Sequence, residues 1–147
     1  MKHLKMLASA AVLAGFGLAS PASAHDLGFA GLLSNGNKGE MPALTLSANK
    51  PVSEGPITLQ SGMYYELVIV SDGSREMALA GSEFFHAIWV DEVVINDLEV
   101  RPFGLESVEF DDEGEMEIGF IAIKPGTYRL GVPGATGETQ GVEITIK

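Results

Sequence analysis

The sequence predicts an all-β protein, a single sandwich of about seven or eight short strands. Three observations carry that prediction. In the closing stretch Tyr128, Leu130 and Val132 alternate with Thr127, Arg129 and Gly131, and Val142, Ile144 and Ile146 alternate with Glu143, Thr145 and Lys147. That is the period of a half-buried strand. Residues 63–71 (MYYELVIVS) are dense in aromatic and β-branched side chains, which suit a pleated sheet. Turn residues recur throughout, with 18 glycines and 7 prolines, the punctuation of short strands.

In chain order, residues 1–24 fall outside the domain. Lys2, His3 and Lys5 precede an apolar run from about residue 6 to 18, and Ala22-Ser-Ala24 supplies a small-residue cleavage site. This is the pattern of a secretory signal peptide, cleaved after Ala24, and it predicts a periplasmic domain over residues 25–147. The apolar run is short for a membrane span and no second one follows. Residues 25–40 read as a loosely ordered lead-in with an apolar patch (Leu27, Phe29, Leu32, Leu33). Residues 42–47 and 57–60 are the first two strands, separated by Asn49-Lys50-Pro51. The 63–71 run is apolar on both faces at 68–70, which suits a central strand covered on both sides.

Asp72-Gly73 turns the chain, and residues 77–81 are a short strand or an irregular crossing. Residues 83–96 (EFFHAIWVDEVVIN) hold two apolar runs flanking Asp91-Glu92. A short helix and two short strands both fit, and the density of Ile, Val, Trp and Phe favours strands. Trp89 reads as a buried anchor of the sandwich. Residues 98–102 end at Pro102, which cannot donate to a ladder, so they form an edge strand. Residues 108–110 and 116–120 predict a β-hairpin around Asp111-Asp-Glu-Gly114. Residues 120–123 form the next strand, turned by Lys124-Pro125-Gly126 into the alternating pair that closes the chain.

The chain is acidic, with 20 Asp and Glu against 9 Lys and Arg and a formal charge of −11. Losing Lys2 and Lys5 on cleavage makes the mature part more acidic still. Such a surface argues against nucleic acid and anionic lipid as partners. There is no cysteine. That removes disulfides, a thiolate zinc site, a cysteine nucleophile and type 1 copper, and leaves the core to hold the fold.

Strand, Pro-Gly turn, strand, loop, strand is also how a cupredoxin ends. The chain resembles that family from about residue 57 to 147, through residues 57–62 (ITLQSG), Glu83-Phe-Phe-His86, residues 120–128 and the closing GVEITI. The resemblance implies a cupredoxin-like Greek-key β-sandwich. It also implies copper ligands: His86 looks like the histidine that follows a phenylalanine-rich step, and the family's Cys falls at or beside Val132. The loop His falls near Ala135 or Thr136 and the axial Met near Thr139, and none of these is a ligand here. Glu83-Phe-Phe85 and residues 89–97 (WVDEVVIND) further resemble signal-bearing cupredoxin-like proteins that accompany bacterial iron permeases. That likeness implies a periplasmic component of ferrous iron uptake, partnered by a membrane permease or another periplasmic protein.

As a metal ligand for copper or iron, His86 leads, with Glu83 three residues away. Its alternative is a histidine satisfied by a backbone carbonyl. Cleavage after Ala24 gives His25 a free amine which, with its ring, chelates copper; otherwise His25 is an ordinary N-terminus. Glu92 leads the remaining acidic residues (Asp91, Asp97, Glu99) as a hard oxygen donor. In a plain strand Asp91 and Glu92 face opposite ways and do not act together. Met41, Met63, Met77 and Met116 are scattered, which points to packing more than to a thioether site. No Ser/His/Asp set or phosphate loop stands out, so whether the protein is an enzyme stays open. Two functions follow: a metal-handling accessory of iron uptake without blue copper, or a metal-free cupredoxin-fold module for protein–protein interaction.

Overall fold

A computed structural model describes residues 31–147; the signal-peptide reading and His25 lie outside these residues. Among the described residues ten strands form two five-stranded sheets. They are β1 (Leu44–Leu46), β2 (Ile57–Leu59), β3 (Tyr64–Asp72), β4 (Met77–Ala80), β5 (Ile88–Ile95), β6 (Leu98–Val100), β7 (Ser107–Phe110), β8 (Glu113–Ala122), β9 (Gly126–Gly131) and β10 (Gly141–Ile146). The first sheet has the order β1-β3-β8-β5-β6 and the second β2-β10-β9-β4-β7. The predicted sandwich is therefore present. Its described residues hold ten strands where seven or eight were expected.

Alternation decides what each strand buries. Leu67 and Ile69 of β3, Met116, Ile118 and Phe120 of β8, and Val90 and Val93 of β5 point into the sandwich. They meet Ile57, Leu59, Leu79, Leu130, Ile144 and Ile146 of the second sheet. Met77 and Met116 are core residues, and Met41 and Met63 pack against the core from its margin, in line with the packing reading. Tyr128 at the start of β9 donates its hydroxyl to Lys124 O at 2.8 Å, the tyrosine corner of Greek-key sandwiches.

Four expectations need correction. Residues 107–110 and 113–122 are not a hairpin: β7 pairs with β4 in the second sheet, whereas β8 pairs with β3 and β5 in the first. The acidic turn at Asp111-Asp112 carries the chain across the sandwich, and turn residues alone cannot say which sheet receives the next strand. Residues 116–123 are one strand rather than two, since β8 runs unbroken to Ala122. Residues 82–85 form a short helix, α1 (Ser82–Phe85), and 88–95 a single strand through Asp91-Glu92. Finally, β3 is central, but Val68 and Val70 on its outer face are only half-buried.

The described part of the lead-in, residues 31–40, is better tied down than its composition suggests. The Asn37 side chain is buried and donates to Leu32 O and Gly62 O, both at 2.8 Å. Gly39 N–H donates to Tyr64 O at 2.8 Å, and Lys38 pairs with Glu66 across the strand. These bonds lay residues 31–39 along β3 and close off Tyr64.

Candidate functional site

His86 takes its position from α1. Phe84 and Phe85 bury their rings while Ser82, Glu83 and His86 on either side of them are exposed. Phe84 meets Phe85, Phe120 and Tyr128 at centroid distances of 5.7, 5.7 and 6.4 Å. Gly81 lets the helix approach β9, because a Cβ there would lie 2.6 Å from Arg129 O and from Leu130 Cδ2. Glu83 and His86 are exposed, one helical turn apart, on the spacing that places side chains on one face. Among the described residues the His86 ring has no hydrogen-bond partner; the His86 backbone N–H donates to Ser82 O at 2.9 Å.

The next residue fixes which end of the sandwich this is. Ala87 O accepts N–H bonds from Ile123 at 3.0 Å and Lys124 at 2.8 Å. His86 therefore stands where β8 turns into β9. Val132, Ala135, Thr136 and Thr139 follow the far end of β9, whose six residues span about 20 Å. The distant loop is closed on itself: Val132 N–H donates to Gln140 O at 2.8 Å, Ala135 N–H to Val132 O at 3.1 Å, and Arg129 Nη2 to Gly137 O at 3.1 Å.

Glu92 belongs to a different neighbourhood. The pairing of β5 with β8 slips between Val90 and Glu92, a β-bulge that re-aims the side chains beside it. Asp91 and Glu92 consequently do act together, contrary to the plain-strand expectation. Arg101 reaches Asp91 Oδ1 at 3.1 Å, Glu92 Oε2 at 3.0 Å and Glu99 Oε2 at 3.3 Å. The structure engages Glu92 with Arg101 and does not bring it to Glu83 and His86. Sequence reasoning missed Arg101, whose only signal was a lone cation ten residues beyond Asp91.

Around Glu92 the outer face of the first sheet crowds negative charge. Gly119, opposite both Glu66 and Glu92, leaves the space in which the Tyr64 hydroxyl lies. Burial, followed by the charges of Glu92, Asp91, Glu66 and Glu117, pushes the Tyr64 phenol up to about 12. Burial and then Glu66 raise the Glu117 carboxyl above its usual range. No group of three or more His, Cys, Asp or Glu able to hold a metal occurs among the described residues.

Trp89 is the clearest misplacement. Its side chain shares the outer face with Tyr64 and Ile121 and is 47% exposed, since it alternates with Val90, which takes the core position. With Leu32, Leu33, Ile121 and Ile123 it lines a cavity of about 260 Å³.

No protein-family model matches the sequence, and no curated protein matches it. Solved structures do match in shape. A multicopper oxidase is similar at a TM-score of 0.54 and 5% identity, over 74% of this chain and 44% of that one. The copper-containing nitrite reductase of Thermus scotoductus SA-01 is similar at 0.51 and 14% identity, over 63% of this chain and 22% of that one. The copper nitrite reductase of Nitrosomonas europaea is similar at 0.50 and 15% identity, over 65% of this chain and 33% of that one. The sandwich is cupredoxin-like. This chain spans less than half the length of each of these proteins.

A cupredoxin blue copper centre does not fit this chain. The thiolate is missing, the distant loop offers Val, Ala and Thr where ligands would stand, and His86 stands at the opposite end of β9. What remains is an exposed Glu83–His86 pair, two donors on one helical turn. No helix among the described residues is long and apolar enough to cross a membrane.

Proposed function

We propose that this protein is a periplasmic cupredoxin-fold carrier that handles iron or copper for a ferrous iron uptake system, without blue copper. The observation that carries the reading is the placement of Glu83 and His86. Phe84 and Phe85 take up the packing of α1, so both donors face water and are free to take a ligand. Imidazole with carboxylate suits ferrous iron, and imidazole with an amine suits copper. Two donors hold a metal loosely, which fits transfer to a partner better than storage.

His25 would supply further donors after cleavage at Ala24. Leu33 shares a cavity with Ile123, whose N–H donates to Ala87 O next to His86, and the six peptide steps from His25 to Gly31 can span about 20 Å. The resemblance to iron-permease companions supports uptake as the setting, and the acidic surface suits a cation or a basic docking partner.

Calorimetric titration of the chain beginning at His25 with Cu(II), Cu(I) and anaerobic Fe(II) tests this. One-to-one binding, lost in His86→Ala and weakened when one residue is added ahead of His25, is the expected result. Binding no tighter than about 1 mM would sink the carrier reading. The second reading, a metal-free module for protein–protein interaction, would then hold; apolar side chains left exposed on β5 and β6 favour it.

A further inference from the structure

The first sheet overhangs the second at its β6 edge. Val93 of β5 is buried in the core and pairs with Val100 of β6, and Ile95 pairs with Leu98. Directly paired residues share a face, as do residues two apart along a strand. Ile95, Leu98 and Val100 therefore continue the core-facing side of the sheet. The opposite sheet does not cover them: they are 42%, 63% and 44% exposed. Beyond β6, Phe103 is fully exposed as well. Among the described residues β6 is the last strand of its sheet, and one side of its backbone has no neighbouring strand.

The sequence of this edge is complementary to itself. Leu98-Glu99-Val100-Arg101 places apolar side chains on the core side and opposite charges on the outer side. If a second β6 ran antiparallel about a two-fold axis at Val100, Val100 would face its own copy. Glu99 of each chain would then face Arg101 of the other. Arg101 is 60% exposed while contacting Asp91, Glu92 and Glu99, so its guanidinium has room for one more carboxylate. Pro102, which has no N–H, would fall at the end of the ladder, where a strand tolerates it. A uniformly basic or uniformly acidic partner would satisfy only one of the two charges.

We propose that this edge docks a second copy of the same chain, joining the two first sheets through antiparallel β6 strands and covering Leu98 and Val100. This inference stands apart from the metal reading. The shared negative charge of the two copies opposes it, so association strengthens as salt rises toward physiological strength.

Sedimentation equilibrium of the purified protein over a range of concentrations is the test. A monomer–dimer equilibrium is expected, and Glu99→Lys and Arg101→Glu should each weaken it about tenfold or more, a clear step on an affinity scale. Mixed one to one, the two variants should associate again. The lysine introduced in one then faces the glutamate introduced in the other, while the unchanged Arg101 of the first faces the unchanged Glu99 of the second. Leu98→Asp, at an exposed position away from Arg101, should weaken association on its own, and circular dichroism would verify that every variant is folded. A protein monomeric up to about 1 mM overturns the proposal, as does a dimer indifferent to all three substitutions. Failure of the mixture to re-associate overturns the two-fold at Val100.

Discussion

Gly119 is held as glycine by space alone, and that can be measured. A Cβ at this position would overlap the Tyr64 hydroxyl and lie 3.1 Å from Tyr64 Cζ and 3.3 Å from Glu92 Cγ. Tyr64 is 6% exposed beneath residues 31–39, so its ring cannot swing away without losing those contacts. Overpacking of this kind costs about 1–3 kcal/mol. Alanine recovers about 0.5–1 kcal/mol of that, because its unfolded chain has less freedom to lose than glycine's. Gly119→Ala should therefore destabilise by about 0.5–2 kcal/mol, seen as a lower urea midpoint at unchanged slope. Tyr64→Phe removes the atom in direct overlap but leaves Cζ. In that background the same substitution should cost about 1 kcal/mol less. An equal cost in both backgrounds, or no cost in either, would refute the account of how Tyr64 seats on the sheet.

Phe84→Ala should cost about 3–5 kcal/mol in thermal melts, the loss expected for a fully buried aromatic, whereas Glu83→Ala and His86→Ala should stay within about 0.5 kcal/mol. A large loss in either of the latter would mean that the pair packs rather than waits for a ligand. The fold favours the protonated Tyr64 phenol, whose pKa rises to about 12 from an ordinary 10.0. Stability should accordingly be untouched by this group below about pH 10 and should fall as pH climbs toward 12; denaturation midpoints across that range should flatten in Tyr64→Phe.

The strands were legible because their evidence is local. Alternation at 127–132 and 142–147 specifies a strand and its buried face each; β-branched density at 63–71 specifies a strand, but not that its outer face is only half-buried. What was not legible depends on relations between strands. Asp111-Asp-Glu-Gly114 announces a turn, yet nothing in four residues says whether the next strand pairs beside the last or crosses to the other sheet. Trp89 looks like core by type, but the parity that buries Val90 turns it outward. The bulge that unites Asp91 and Glu92 comes from the slip against β8, a strand well further along the chain. One signal was available and unread: Asn96-Asp97 between apolar runs is a two-residue hairpin turn, and both residues take positive φ, 48° and 64°.

The same distinction explains the fate of the candidate site. Phe-Phe-His marks His86 as a candidate ligand, but not the short helix that buries both rings and leaves the imidazole exposed. The end of the sandwich it occupies is set by strand direction. β5 runs antiparallel to β8, pairing Ile88 with Ala122, so the residues before β5 must lie where β8 ends and β9 begins. The family position for the thiolate lies where β9 ends. A ligand carried over along the sequence thus landed on the opposite pole from its partners, and no rotamer change can close a gap of about 20 Å. Any metal bound at His86 must take its other donors from its own pole, where Glu83 stands exposed one helical turn away.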